Sequence, residues 1–178
     1  QWDTTMRRIG ALPGFEGFLY ETGTRDFRRV AEQGPIISVN VTPRRSDALI
    51  LTLGGVRTVR LPGLTSPELA ARAEKFPVDV AAAETGSFAE RFTAQAGVRN
   101  TLGWLWDVLA APVLDHLGLS DPLSDDAHDT SWPRVWWALT GPLATLPVHA
   151  AGDHERAVSV LDRAVSSYIP SIRTLRHA

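Results

Sequence analysis

The residues best suited to chemistry fall in one cluster and a few pairs. Asp125-Asp126-Ala127-His128-Asp129 places three carboxylates and an imidazole within five residues. Such a set offers oxygen and nitrogen ligands to a divalent cation, but its spacing matches no standard metal loop. The competing reading, a solvated acidic loop, is favoured by that mismatch. His149 sits in the stretch Leu146-Pro147-Val148-His149-Ala150. An imidazole there would work as a base only with a nucleophile within hydrogen-bond reach. The chain has no cysteine, and no serine is marked out by its context. His149 is therefore read as a structural histidine that packs and bonds the backbone. Asp115-His116 and Asp153-His154 are adjacent in sequence, and adjacent residues of a helix point in different directions. Neither pair makes a dyad by itself.

Trp104, Trp106, Trp136 and Trp137 could line a ligand pocket, although aromatics on a helix and a buried strand more often fill a core. Arg44-Arg45 lies at a turn and could meet an acidic partner or simply face solvent. The chain holds no G-x-S-x-G elbow, no phosphate loop, no H-E-x-x-H and no G-x-G-x-x-G. No catalytic, cofactor-binding or metal-binding residue is assigned, and no cofactor is expected.

The elements that would position these residues are organised around Arg134–Ala151. A short apolar run, Val135 to Leu139, breaks at Thr140-Gly141-Pro142 and resumes from Leu143 to Ala151. A short apolar run bounded by turn signals reads as a strand buried on both faces, the kind found in parallel sheets. Val165 to Ile169 reads as a second such strand, ended by Pro170. Upstream, Ile37, Val39 and Val41 alternate with polar residues, and Leu49, Leu51 and Leu53 form a second alternating set. Gly54-Gly55 predicts a two-residue hairpin turn of the primed type, which needs positive φ. Val59 and Leu61 continue a third strand, giving an antiparallel meander with one face buried.

Helices are predicted between these strands. Thr65-Ser66-Pro67-Glu68 is a helix start with proline at the first helical position. Pro77 is expected to interrupt that helix, with a weakly patterned helix over 78–96. Residues 98–119 carry the best helical stripe: Leu102, Trp106, Leu109, Val113 and Leu117. Pro112 is expected to kink or divide it. Residues 120–131 read as a polar loop, and 155–164 as a short helix or irregular stretch. At the front, Trp2, Met6 and Ile9 are at helical spacing, Phe15, Phe18 and Leu19 anchor a turn, and 24–33 reads as a short helix stopped by Gly34-Pro35.

The 178 residues suffice for one core and an extension. About 44% are apolar and 21% charged, as in ordinary globular chains. A net charge of −2, with arginines in scattered pairs, gives no support to a nucleic-acid partner. No apolar run approaches 18 residues, so no membrane span is expected, and there is no signal peptide. The absence of cysteine suits an intracellular protein, and a cytoplasmic location is expected. A first residue other than methionine and an uncapped helix-like end at 171–178 suggest excision from a longer chain.

Several segments together resemble a known family. They are LPGFEGFL (12–19), NVTPRRSDALILT (40–52), VRLPGLT (59–65), LGWLWDVLAAPVLDHLGL (102–119), WWALTGPLATLPVHAAG (136–152) and SVLDRAVSSYIPSIRTL (159–175). In this order they are similar to the CHAT domain, a caspase-like domain often found after tetratricopeptide repeats. The resemblance implies an α/β fold: the N-terminal part of a caspase-like sheet domain, preceded by an antiparallel β-meander and a helical pair. It implies that 1–33 are a helical linker from an upstream repeat region. Residues 34–178 would be the N-terminal portion of the domain, truncated before its catalytic motifs.

It also implies a cysteine peptidase whose dyad, a His-Gly histidine and a cysteine, lies beyond the VSSYxPS segment. This chain has neither a His-Gly dipeptide nor a cysteine, so it is expected to be inactive alone. The implied partners are the remaining C-terminal half of the domain, a protein or peptide substrate, and the tetratricopeptide repeats. A non-catalytic interaction module is the alternative. An unpaired apolar sheet edge is expected to make the piece prone to association.

Overall fold

Five short strands, 36–41, 46–52, 55–60, 134–138 and 165–168, meet in one sheet although the last two lie far along the chain from the first three. A computed structural model describes residues 30–122 and 132–172, together with Thr5, Arg8 and Ile9, which are helical. The polar cluster Asp125–Asp129, the anchoring residues Phe15, Phe18 and Leu19, and most of the expected linker 1–33 lie outside the described residues.

Strands β1 (Ile36–Val41), β2 (Ser46–Thr52) and β3 (Gly55–Arg60) form the antiparallel meander that their alternation predicts. The meander precedes the parallel strands in the chain and supplies three of the five strands of the same sheet, because β1 also pairs in parallel with β4 (Arg134–Ala138), with Ile37 opposite Trp137. The hairpin turn falls one residue earlier than Gly54-Gly55. Thr52 pairs with Gly55, so Leu53 and Gly54 make the turn. The positive φ is carried by Gly55 alone, at 121°, so the turn is not of the primed type.

Gly34 is where the chain enters the sheet. Its φ is 133°, and a Cβ on it would lie 2.2 Å from the carbonyl oxygen of Arg134. Only glycine lets the backbone approach β4 this closely.

Helix α1 (Ser66–Thr85) runs straight through Pro77, contrary to the expected interruption. The proline removes one hydrogen bond and crowds a carbonyl. The helix is held across that point by packing on its neighbour. Asp79, four residues after Lys75 and paired with it, is buried against Gly97 of the next helix. A Cβ at Gly97 would lie 2.3 Å from the Asp79 carboxylate, so that glycine sets the helix–helix distance.

The break comes instead at Gly86-Ser87. The amide and the hydroxyl of Ser87 both donate to the Glu90 carboxylate, at 2.8 and 2.6 Å. This S-x-x-E capping signal is present in the sequence and fixes the start of α2 (Phe88–Leu105). The Ser87 hydroxyl, and then its amide, hold the Glu90 carboxyl below the usual carboxylate range.

Ahead of Pro112 the helix widens into a π turn over Trp106–Ala110, then resumes as α3 (Ala111–His116). The Ala111 amide reaches back five residues to the Trp106 carbonyl. Proline is thereby accommodated by widening the helix.

The helices cover one face of the sheet. Ile37, Val39, Ala48, Ile50, Val135 and Trp137 pack there against Leu69, Leu105, Leu109, Val113 and Leu114. The opposite face holds a smaller cluster: Ile36, Leu51, Ala138 and Ile169 with Ala31. Between β4 and the last strand the chain makes short 3-10 turns at Gly141–Thr145, Val148–Ala150 and Val160–Asp162. It also makes a small hairpin of β5 (Gly152–Asp153) and β6 (Val158–Ser159). Strand β7 (Val165–Tyr168) then pairs in parallel with β4, Trp137 opposite Tyr168. The sheet order is β3-β2-β1-β4-β7, so the architecture is α/β with a mixed sheet.

Candidate functional site at the ends of the parallel strands

In open α/β sheets ligands bind beyond the carboxyl ends of the parallel strands. Here that position lies after Ala138 of β4 and Tyr168 of β7. A cavity of about 230 Å³ opens there, lined by Trp137, Leu139, Ala144, Tyr168, Ile169 and Pro170. Its wall is apolar, and Tyr168 brings a hydroxyl group to it.

His149 is joined to this wall. Its backbone N–H donates to the Tyr168 hydroxyl oxygen at 2.9 Å, and its Nδ1 lies 2.9 Å from the same oxygen. The rings meet edge to face, with centroids 5.7 Å apart. The phenol oxygen accepts from the backbone amide and shares a further hydrogen bond with Nδ1. Burial pushes the Tyr168 hydroxyl above its ordinary value, against the pull of the His149 and Val148 amides. The tyrosine is therefore a neutral donor at physiological pH. Among the described residues, no serine or threonine hydroxyl bonds His149. The pair can orient a loop, but among the described residues it has no nucleophile within hydrogen-bond reach.

The other candidates take structural places. Asp115 pairs with Arg163 at 3.3 Å, and Arg163 lies over the Trp106 ring. His116 ends α3. The Asp153 carboxylate accepts from the amides of Glu155 and Arg156, which shapes the loop between β5 and β6. His154 Nε2 bonds the Ala150 carbonyl at 3.1 Å. A second, polar cavity of about 330 Å³ lies beside this loop, lined by Arg99, Asp107, Asp153, His154 and Glu155 among others. No metal-binding cluster occurs among the described residues.

Trp106 and Trp137 are buried in the core. Trp104 and Trp136 are half-buried beneath Arg72 and Arg134 respectively. Trp137 also reaches the cavity, and its indole N–H donates to Ser166 Oγ at 3.1 Å.

A family model for the CHAT domain matches residues 99–178. This stretch of the chain is similar to the CHAT domain family. No curated protein and no solved structure matches the chain. The matched stretch holds the end of α2, the π turn, the parallel strands β4 and β7 and the whole of the His149–Tyr168 site. The meander and α1 precede the matched stretch, as do the segments at 12–19 and 40–52 that share the resemblance. No described helix is long and apolar enough to cross a membrane.

Tyr168 is the site residue that sequence reasoning missed. It lies 19 residues after His149. Pairing the two apolar runs as adjacent parallel strands would have brought the end of the second beside the turn that follows the first.

Proposed function

We propose that this chain is the sheet-founding portion of a caspase-like cysteine peptidase domain, contributing to peptide-bond hydrolysis in the complete domain. The observation that carries the reading is the parallel pairing of β4 with β7 inside the CHAT-matched stretch. Two adjacent parallel strands ending in a cavity are the frame on which such a dyad would be mounted. The chain has no cysteine, so a thiolate nucleophile must be supplied from outside these residues.

The proposed partner is the rest of the domain, which would add strands at the β7 edge. Tetratricopeptide repeats ahead of residues 1–33 would act as the receiver of a signal, and the location would be cytoplasmic. The alternative is a non-catalytic interaction module. It is supported by the same lack of cysteine and by the engagement of His149 with Tyr168.

The test compares this chain with its parent protein on a mixed peptide library. The chain alone is expected to release no new amino termini. The parent is expected to cleave, and iodoacetamide is expected to abolish cleavage. A parent that cleaves equally well after alkylation sinks the peptidase reading, and one that never cleaves under any activating condition favours the interaction module.

A further inference from the structure

The turn between β1 and β2, the end of β3 and the start of α1 enclose a cavity of about 210 Å³. Its lining includes Arg44, Arg45, Arg60, Thr65 and Ser66. We infer that this cavity binds a phosphate-class dianion, either free or carried on a peptide side chain. The inference stands apart from the peptidase reading and draws on a different part of the molecule.

Charge is the first support. All three arginines are exposed. Arg45 gives its Nε to Asp47 at 2.7 Å, while Arg44 and Arg60 have no ion pair among the described residues. Three guanidiniums against one carboxylate leave two positive charges, the match for a phosphate monoester. Glu68, the acid nearest the helix start, is turned away into a pair with Arg72 at 2.9 Å. Planar guanidiniums suit tetrahedral oxyanions because each can donate two parallel hydrogen bonds.

Rigidity is the second. The Thr42 hydroxyl donates to the Arg45 carbonyl, and the Arg45 amide donates back to that hydroxyl, which locks the turn. Ser46 is buried, and its hydroxyl donates to the Leu64 carbonyl, tying the turn to the segment before α1. The Leu61 amide reaches the Ser46 carbonyl at 3.0 Å. The cavity walls are thus fixed to one another before any ligand arrives. Thr65 makes no side-chain cap bond to α1, so its hydroxyl remains available at the cavity.

The experiment titrates inorganic phosphate and a phosphoserine peptide into the full chain at low salt and pH 8. Binding is read by calorimetry and by the NMR shifts of arginine Nε–H groups. For both ligands, the Arg44→Gln/Arg60→Gln double variant is expected to raise Kd at least tenfold. Arg57→Gln, an exposed arginine further along the same strand, is expected to leave Kd unchanged. Arg44→Lys/Arg60→Lys keeps the charge and is expected to recover part of the affinity, which separates lost binding from lost folding.

A peptide that binds at least tenfold tighter than free phosphate identifies a phosphorylated protein segment as the source. Equal affinities identify the free ion. The inference is overturned if neither ligand binds the parent chain, if the double glutamine variant binds as the parent does, or if a glutamate peptide competes as well as the phosphoserine peptide.

Discussion

The two edges of the sheet are built differently. β3 shows the solvent Val56, Arg57, Thr58 and Arg60. Charged side chains along an edge discourage a further strand from pairing with it. β7 shows Val165, 38% exposed, and Tyr168, 47% exposed, with two serines between them and no charge. Nothing in β7 opposes pairing. The β3 edge is closed by charge, whereas among the described residues the β7 edge is open, so a further strand would meet less opposition at β7 than at β3. That asymmetry supports placing the proposed partner strands beside β7.

The comparison can be broken by substitution. The largest effect is expected in the strand that joins the two halves. Trp137→Ala empties a fully buried site between β1 and β7 and should cost about 3–5 kcal/mol. Val56→Ala on the closed edge should stay within about 0.5 kcal/mol. Urea denaturation of both variants measures the contrast, and equal losses would erase the distinction between the halves.

Gly34→Ala should follow, at roughly 3 kcal/mol, because the new Cβ meets the Arg134 carbonyl in a backbone region that favours glycine. Lost β1–β4 pairing should appear as accelerated amide exchange at Trp136, whose N–H bonds the Pro35 carbonyl, while β2–β3 amides stay protected.

The smallest effect belongs to Tyr168→Phe at the open edge, about 1 kcal/mol or less for the lost hydrogen bonds. It also carries a sign in pH. Because burial raises the folded-state value of Tyr168 above 10.0, its contribution is fully present below pH 10 and fades as pH rises through the folded value. Stability measured from pH 9 to 11 should fall more steeply in the parent than in the variant.

Much of the fold could be read from local pattern. Ile37, Val39 and Val41 alternate because one face of β1 meets helices, and Val135 to Leu139 is continuous because β4 is covered on both sides. Prolines misled where tertiary packing outweighed their local cost: Pro77 sits inside α1, held by the contact of Asp79 with Gly97. The Ser87–Glu90 cap was in plain view and sets the helix break that Pro77 does not. The site was less legible for a different reason. Tyr168 and His149 meet only because two strands are neighbours, and Arg60 joins Arg44 only because β3 folds back on β2. Neither proximity leaves a trace in residue spacing.

The β1–β4 pairing has a consequence for how the molecule forms. Ile36 and Trp136 are partners across 100 positions of chain. Closing a loop of that length costs about 4 kcal/mol of chain entropy before any contact is gained. The meander and the α1–α2 hairpin need no such closure and can form as each emerges. β4 must then find the unpaired edge of β1, and that docking is expected to limit the folding rate. Until it happens, the faces of β1 and of the helices that Trp137 covers stand open to water. The interval between synthesis of residues 60 and 137 is therefore when this chain is most exposed to capture by a chaperone or by another copy of itself.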